Sequence, residues 1–144
     1  MKLLVINGPN INMLGSREPD IYGKQDYAAL LKRLEAFAQA HGVTVDAYQS
    51  NIEGEIVGKI QSAQGQYDGI VINPAAYTHY SVAILDALKA VSVPAVEVHL
   101  SHIASREEFR HKSVTAPGCV GQIAGFGFYS YELALLALME RLKG

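Results

Sequence analysis

Continuous apolar runs alternate along the chain with stretches that place apolar residues every three to four positions. Leu3 to Ile6 is unbroken and apolar, as in a strand covered on both faces, and Gly8-Pro9 ends it. From Tyr27 to His41, Leu30, Leu31, Leu34, Phe37 and Ala38 recur at helical spacing, with Asp26 at the N-cap position and Gly42 at the stop. Val43 to Tyr48 reads as a second strand. Ile52, Ile56 and Ile60 mark a second helix that ends near Gly65. Gly69 to Asn73 is a third strand, stopped by Pro74, and Val82, Leu85 and Leu88 mark a third helix. Ala95 to His99 is a fourth strand. A short helix is expected around Arg106 to Arg110, and then a fifth strand from Val120 to Ala124. The last helix carries Leu135, Leu138, Met139 and Leu142 on one face.

Strict alternation of strand and helix with short connections predicts an α/β fold with a parallel sheet and helices on both faces. Five strands in 144 residues suggest a flavodoxin-like three-layer α/β/α arrangement of order 2-1-3-4-5, with residues 1–144 as a single domain. The run from Met1 to Ile6 is too short for the apolar region of a signal peptide, and no small-residue cleavage site follows it. No apolar stretch approaches the roughly 20 residues that span a bilayer.

Twelve Lys+Arg against fourteen Asp+Glu give a net charge of −2, which supplies no electrostatic footprint for nucleic acid or an anionic membrane. The 49% apolar and 18% charged composition suits a chain with a sizeable core. The single cysteine, Cys119, excludes an intramolecular disulfide framework and a multi-cysteine zinc site; it is compatible with a reducing compartment, and a cytoplasmic location is expected.

Ligands of open α/β sheets bind beyond the carboxyl ends of the strands, at the topological switch point. There, strand one supplies Asn7, Gly8 and Asn10, strand three Asn73, Tyr77, Thr78 and His79, and strand four Glu97, His99 and Ser101. Taken one at a time, the asparagines suit turns, His79 a helix cap, and His99 a hydrogen-bonded core position. His41 and His111 read as solvated helix residues. The convergence of these groups is what points to a site. The connection from Gly8 to Asp26 is about 19 residues, long for a compact domain, and its composition, with Arg17 and Tyr22, suggests a lid over that site.

Several other motifs fail. Gly125-Phe126-Gly127 has Ser130 where a dinucleotide fingerprint needs its third glycine, and Gly8-Pro9-Asn10 lacks the Gly-Lys-Ser/Thr of a phosphate loop. His99-x-x-His102 straddles a strand end without a third ligand at helix spacing, so no metal is expected. Cys119 beside Gly118 reads as a small buried residue rather than a nucleophile. The lysines sit at termini, loops or polar helix faces, and none ends a central strand, which disfavours imine chemistry. A receiver domain would need carboxylates after strand one, and a flavin carrier a Ser/Thr-rich phosphate loop there. Neither is present.

Six blocks occur together: Asn7-Gly8-Pro9-Asn10; Leu14-Gly15-x-Arg17-Glu18-Pro19-x-x-Tyr22-Gly23; Gln49-Ser50-Asn51; Ile72-Asn73-Pro74-Ala75-Ala76-Tyr77-Thr78-His79; Glu97-Val98-His99-Leu100-Ser101; and Arg106-Glu107-Glu108-Phe109-Arg110. In order and spacing, from Lys2 to the C-terminal helix, the chain resembles a type II 3-dehydroquinate dehydratase. The resemblance implies a flavodoxin-like fold, trimers assembled into a dodecamer, and dehydration of 3-dehydroquinate to 3-dehydroshikimate in the shikimate pathway. The elimination would be anti and pass through an enolate, without metal or cofactor.

The resemblance also implies roles. Tyr22 is the base, with Arg17 favouring its tyrosinate; Asn10 donates toward the enolate; His99 protonates the leaving hydroxyl, oriented or charged by Glu97. Asn73, His79 and Arg110 hold ring hydroxyls. The backbone N–H groups of Leu100 and Ser101, with the Ser101 hydroxyl, receive the carboxylate. Asp86 reaches the site of a neighbouring subunit. The chain departs from the family pattern at Tyr80, Leu85, His102 and Ala104-Ser105; none of these replaces an expected catalytic group, but Tyr80 and Leu85 flank the expected subunit contact.

Overall fold

Five parallel strands form one sheet in the order β2-β1-β3-β4-β5, as the alternation predicts: β1 (Lys2–Asn7), β2 (Thr44–Gln49), β3 (Gly69–Asn73), β4 (Ala95–His99) and β5 (Gly121–Ala124). This computed structural model describes residues 1–15 and 25–144. The described helices are α1 (Tyr27–His41), α2 (Glu53–Ser62), α3 (Val82–Ala90) and α4 (Tyr129–Leu142).

The continuous apolar strands divide their side chains between two cores, because successive residues of a strand point to opposite faces. Leu3 and Val5 of β1 pack with Val71, Val96 and Val98 against Leu30, Leu34 and Phe37 of α1 and Tyr131, Leu135 and Leu138 of α4. Leu4 and Ile6 pack with Ile70 and Ile72 against Ile56 and Ile60 of α2 and Ile84, Ala87 and Leu88 of α3. Each core is therefore one sheet face closed by two helices.

Helix α1 begins and ends where its sequence says. The Asp26 side chain accepts from the Ala29 N–H at 2.8 Å, and Gly42 closes the helix in the left-handed region at φ 64°. Three expected core positions are wrong. Ile52 is the residue before α2 and is 58% exposed, Val82 is 57% exposed, and Leu31 is 37% exposed. In α3 the buried positions are Ile84, Ala87 and Leu88, a register the spacing of Val82, Leu85 and Leu88 does not give. The expected short helix around Arg106 to Arg110 is two separate 3₁₀ turns, Ile103–Ser105 and Glu108–Arg110. His79 does not cap α3; the Ser81 hydroxyl does, accepting from the Ile84 N–H at 3.0 Å.

Two loops meet at the carboxyl edge of the sheet. The Gly8 N–H donates to the Asn73 carbonyl at 2.8 Å, and a Cβ on Gly8 would lie 2.6 Å from the Pro74 oxygen. Only glycine fits this crossing, so the ends of β1 and β3 are locked side by side.

Candidate active site

The carboxyl end of β4 carries a buried carboxylate–imidazole pair. Glu97 and His99 point to the same face two residues apart, as strand geometry requires, and His99 Nε2 lies 2.9 Å from Glu97 Oε2. Glu97 is fully buried and His99 is 6% exposed. A buried carboxylate needs donors, and here it has four. Besides His99, Oε2 accepts from Ser113 Oγ at 2.7 Å and Gln122 Nε2 at 2.9 Å, while Oε1 accepts from Thr115 Oγ1. Thr78 Oγ1 sits within hydrogen-bond distance of both Ser113 and Thr115 hydroxyls, and the Ala116 N–H donates to Ser113 Oγ.

Burial pushes the Glu97 carboxyl up, but hydrogen bonds from His99, Thr115 and Ser113, with the charge of His99, outweigh it and hold the group below the usual carboxylate range. Glu97 therefore stays ionised while almost out of water. Among the described residues no group of three His, Cys, Asp or Glu is arranged to hold a metal ion. The Cys119 thiol is pushed up to about 12 by burial and by the Glu97 charge, which leaves it a poor nucleophile at neutral pH.

Beside this pair, at the ends of β1 and β3, lies a second buried polar cluster. Tyr131, fully buried on α4, donates its hydroxyl proton to Asn7 Oδ1 at 2.6 Å and accepts from Asn73 Nδ2 at 2.9 Å. Asn73 Oδ1 in turn accepts from the Ala75 N–H at 3.0 Å, and Ala75 occupies the left-handed region at φ 53°. The turn role of Asn73 and its place at the strand ends thus coexist.

The Gln49-Ser50-Asn51 block braces the first loop. Gln49 Nε2 reaches the Gly8 carbonyl and the Asn12 and Asn51 side-chain oxygens at 3.1–3.2 Å. Asn51 Oδ1 also accepts from the Asn10 N–H at 3.1 Å. Asn10 is exposed and left-handed, φ 69°, at the head of a 3₁₀ turn. His79 Nδ1 lies 2.8 Å from the Lys112 carbonyl oxygen. Leu100 is half-buried after β4; its carbonyl accepts from the Gly127 N–H at 3.0 Å. Ser101 is exposed, and its Oγ accepts from Arg106 at 3.5 Å. Arg110 donates from Nε to Glu107 at 2.5 Å and lies over the Phe109 ring.

The structure therefore brings Glu97 and His99 together at the carboxyl edge of the sheet, with Asn73 at the end of the neighbouring β3 and Asn10 in the loop after β1. Asp86 stands exposed on α3, outside both clusters, and His102 is exposed beyond Ser101. Arg17, Tyr22 and the expected lid around them lie outside the described residues. Thr78, expected at the site, joins the cluster around Glu97; Ser113, Thr115, Gln122 and Tyr131 were not singled out by sequence, and only the need of Glu97 for donors, and of Asn73 for partners, could have sent the search to them. His41 and His111 are less free than expected: His41 stacks on Phe37, and His111 Nε2 lies 2.6 Å from the Arg106 carbonyl oxygen.

The family model of class II dehydroquinases matches residues 1–139. A 3-dehydroquinate dehydratase of Clostridium perfringens is 57% identical over 99% of this chain and the whole of that protein. One from Clostridium acetobutylicum is 57% identical over 99% of each. The crystal structure of a type II dehydroquinase from Butyrivibrio crossotus is similar with a TM-score of 0.91 and 53% identity, over 96% of this chain and 97% of that one.

Proposed function

The chain belongs to the class II dehydroquinase family, and from that premise we propose how its own residues act. It is a hydro-lyase that dehydrates 3-dehydroquinate to 3-dehydroshikimate, the shikimate-pathway step. The observation that carries the reading is a histidine held against a buried, ionised carboxylate at the sheet edge where this fold binds ligands.

The reaction removes a proton beside a ketone and then expels a β-hydroxyl, so it needs a base, a stabiliser for the enolate and an acid. Tyr22 takes the proton. A tyrosine is ordinarily protonated up to a pH of about 10, and the permanent cation of Arg17 favours the tyrosinate. Asn10 donates toward the enolate oxygen. As the C–O bond breaks, His99 gives its proton to the leaving hydroxyl, which departs as water. Because Glu97 occupies Nε2, the acidic proton is carried on Nδ1. Glu97 fixes the ring and balances the imidazolium.

Asn73, His79 and Arg110 hold the ring hydroxyls. With Arg110 Nε committed to Glu107, its two terminal nitrogens remain as donors. The N–H groups of Leu100 and Ser101, with the Ser101 hydroxyl, take the substrate carboxylate, and Asp86 serves a neighbouring subunit. The elimination is anti, passes through an enolate and uses neither metal nor cofactor. Residues 1–144 act as one catalytic domain, in the cytoplasm, within trimers that assemble into a dodecamer.

Turnover of 3-dehydroquinate, followed by the absorbance of the conjugated product, tests the reading. The expected result is activity unchanged by a chelator and by borohydride. Loss with the chelator would assign a metal, loss with borohydride an imine, and no turnover by folded protein would overturn the reading.

A further inference from the structure

We propose that Tyr131 is a positioning residue that holds the Asn73 side-chain amide in the rotation whose direction the Ala75 N–H sets, with Asn7 anchoring the phenol proton. This rests on the reading of Asn73 as a substrate-binding residue.

The argument starts from the one partner that can only donate. The Ala75 backbone N–H points at the Asn73 side chain at 3.0 Å, so the atom there must be the amide oxygen. Asn73 Nδ2 is then forced toward the Tyr131 hydroxyl at 2.9 Å, where the phenol oxygen must accept. An accepting phenol still has its own proton to place, and Asn7 Oδ1 takes it at 2.6 Å. The direction of the chain is thus fixed throughout: Ala75 to Asn73, Asn73 to Tyr131, Tyr131 to Asn7.

The Asn7 amide at the end of this chain follows the same direction. Asn7 Nδ2 is the one buried side-chain nitrogen or oxygen without a hydrogen-bond partner among the described residues. Turning the Asn7 amide over would aim its NH₂ group at the phenol, which would then donate to Asn73 and bring the Asn73 NH₂ against the Ala75 N–H. Asn7 keeps an unpaired donor instead. At the head of α1, burial raises the pKa of the Tyr27 phenol, and its interaction with the Asn7 side chain opposes that shift.

All three side chains are at least 97% buried, and they come from β1, β3 and α4. Asn73 has two amide hydrogens and two lone pairs on its oxygen. Tyr131 and Ala75 use one of each, which leaves one N–H and one lone pair, in known places, for a ring hydroxyl.

The test compares KM and kcat for Tyr131→Phe, Asn73→Ala and the double variant, in protein of unchanged assembly mass. The expected result is a KM about three- to tenfold higher for Tyr131→Phe, the effect of one hydrogen bond, with kcat within about twofold. In the Asn73→Ala background the same change should add nothing. Should Tyr131→Phe fail to assemble, Asn7→Ala carries the test: the phenol loses the acceptor that anchors its proton, a higher KM with kcat within about twofold is expected, and a wild-type KM overturns the anchoring. A wild-type KM for Tyr131→Phe beside a defective Asn73→Ala overturns the positioning role alone, as does an effect that persists in full without Asn73. A wild-type KM for Asn73→Ala overturns the substrate reading of Asn73 itself.

Discussion

Replacing Glu97 by glutamine keeps the shape of the side chain and removes its charge. Four donors then face one oxygen and one NH₂ group. If the NH₂ group takes the Oε2 position it meets His99, Ser113 and Gln122 together; at the Oε1 position it meets only Thr115, whose hydroxyl can turn. The second arrangement wins, leaving three neutral hydrogen bonds where there were three to an anion. A hydrogen bond to a charged group contributes roughly 1.5–3 kcal/mol and a neutral one about 0.5–1.5, a loss of about 1 kcal/mol each. Relief from burying a charge offsets part of this, so the variant should be less stable by about 1–3 kcal/mol at pH 7. The sign of the pH dependence follows from the depressed Glu97 pKa: its stabilisation is present in full above the unfolded value of about 4.3 and is lost as pH falls through the lower folded value. Glutamine does not titrate. Urea unfolding of both proteins at fixed protomer concentration should therefore show a gap that is constant above about pH 5 and closes below about pH 4. A gap that does not change with pH would refute the view that the cluster holds a charge. In the same variant kcat should fall about 10- to 100-fold, as His99 loses its fixed counter-charge.

Tyr22→Phe should lower kcat by about 10²- to 10⁴-fold, the usual worth of a general base, with unfolding unchanged; wild-type turnover would remove Tyr22 from the mechanism. Gly8→Ala places a Cβ 2.6 Å from the Pro74 oxygen, and since backbone must shift, a loss of about 1–3 kcal/mol is expected in chemical unfolding together with lower kcat/KM; an unperturbed variant would show that the two loops are not locked. The Cys119 thiol, pushed up to about 12, should resist alkylation at pH 8 in the native protein and react on denaturation. Fast native labelling would contradict its burial.

The frame of the fold was legible because its signals are local. Val5, Ile6, Val71 and Ile72 lie in runs apolar enough to need cover on both faces, and Asp26 and Gly42 carry capping chemistry that depends on few neighbours. Ile52 and Val82 misled because apolar spacing counts residues without saying which way the helix turns them, and Ile84 and Ala87 decide that for α3. At the site, Glu97 and His99 were legible as a pair through the two-residue period of a strand. Their supporters were not: Ser113, Thr115 and Gln122 are ordinary polar residues 16 to 25 positions away from the carboxylate they serve, and nothing in their own neighbourhood marks them. Tyr131 was hidden for the same reason, 58 positions from Asn73 and 124 from Asn7.

The bond between Tyr131 and Asn7 joins residues 124 positions apart, and it sets an order of events as the chain is made. Synthesis delivers Asn7, Asn73, Glu97 and His99 before α4 exists, so a growing chain holds those groups of the site while two polar strand ends still lack their partner. The sheet face that α4 covers is also open until then, with Val71, Val96 and Val98 unprotected. Such contacts between the chain's two ends form late and slowly, and an uncovered sheet face is prone to associate with other chains. A messenger or a protease that removes the last 16 residues would thus yield a product that retains those groups yet lacks the fold that aligns them.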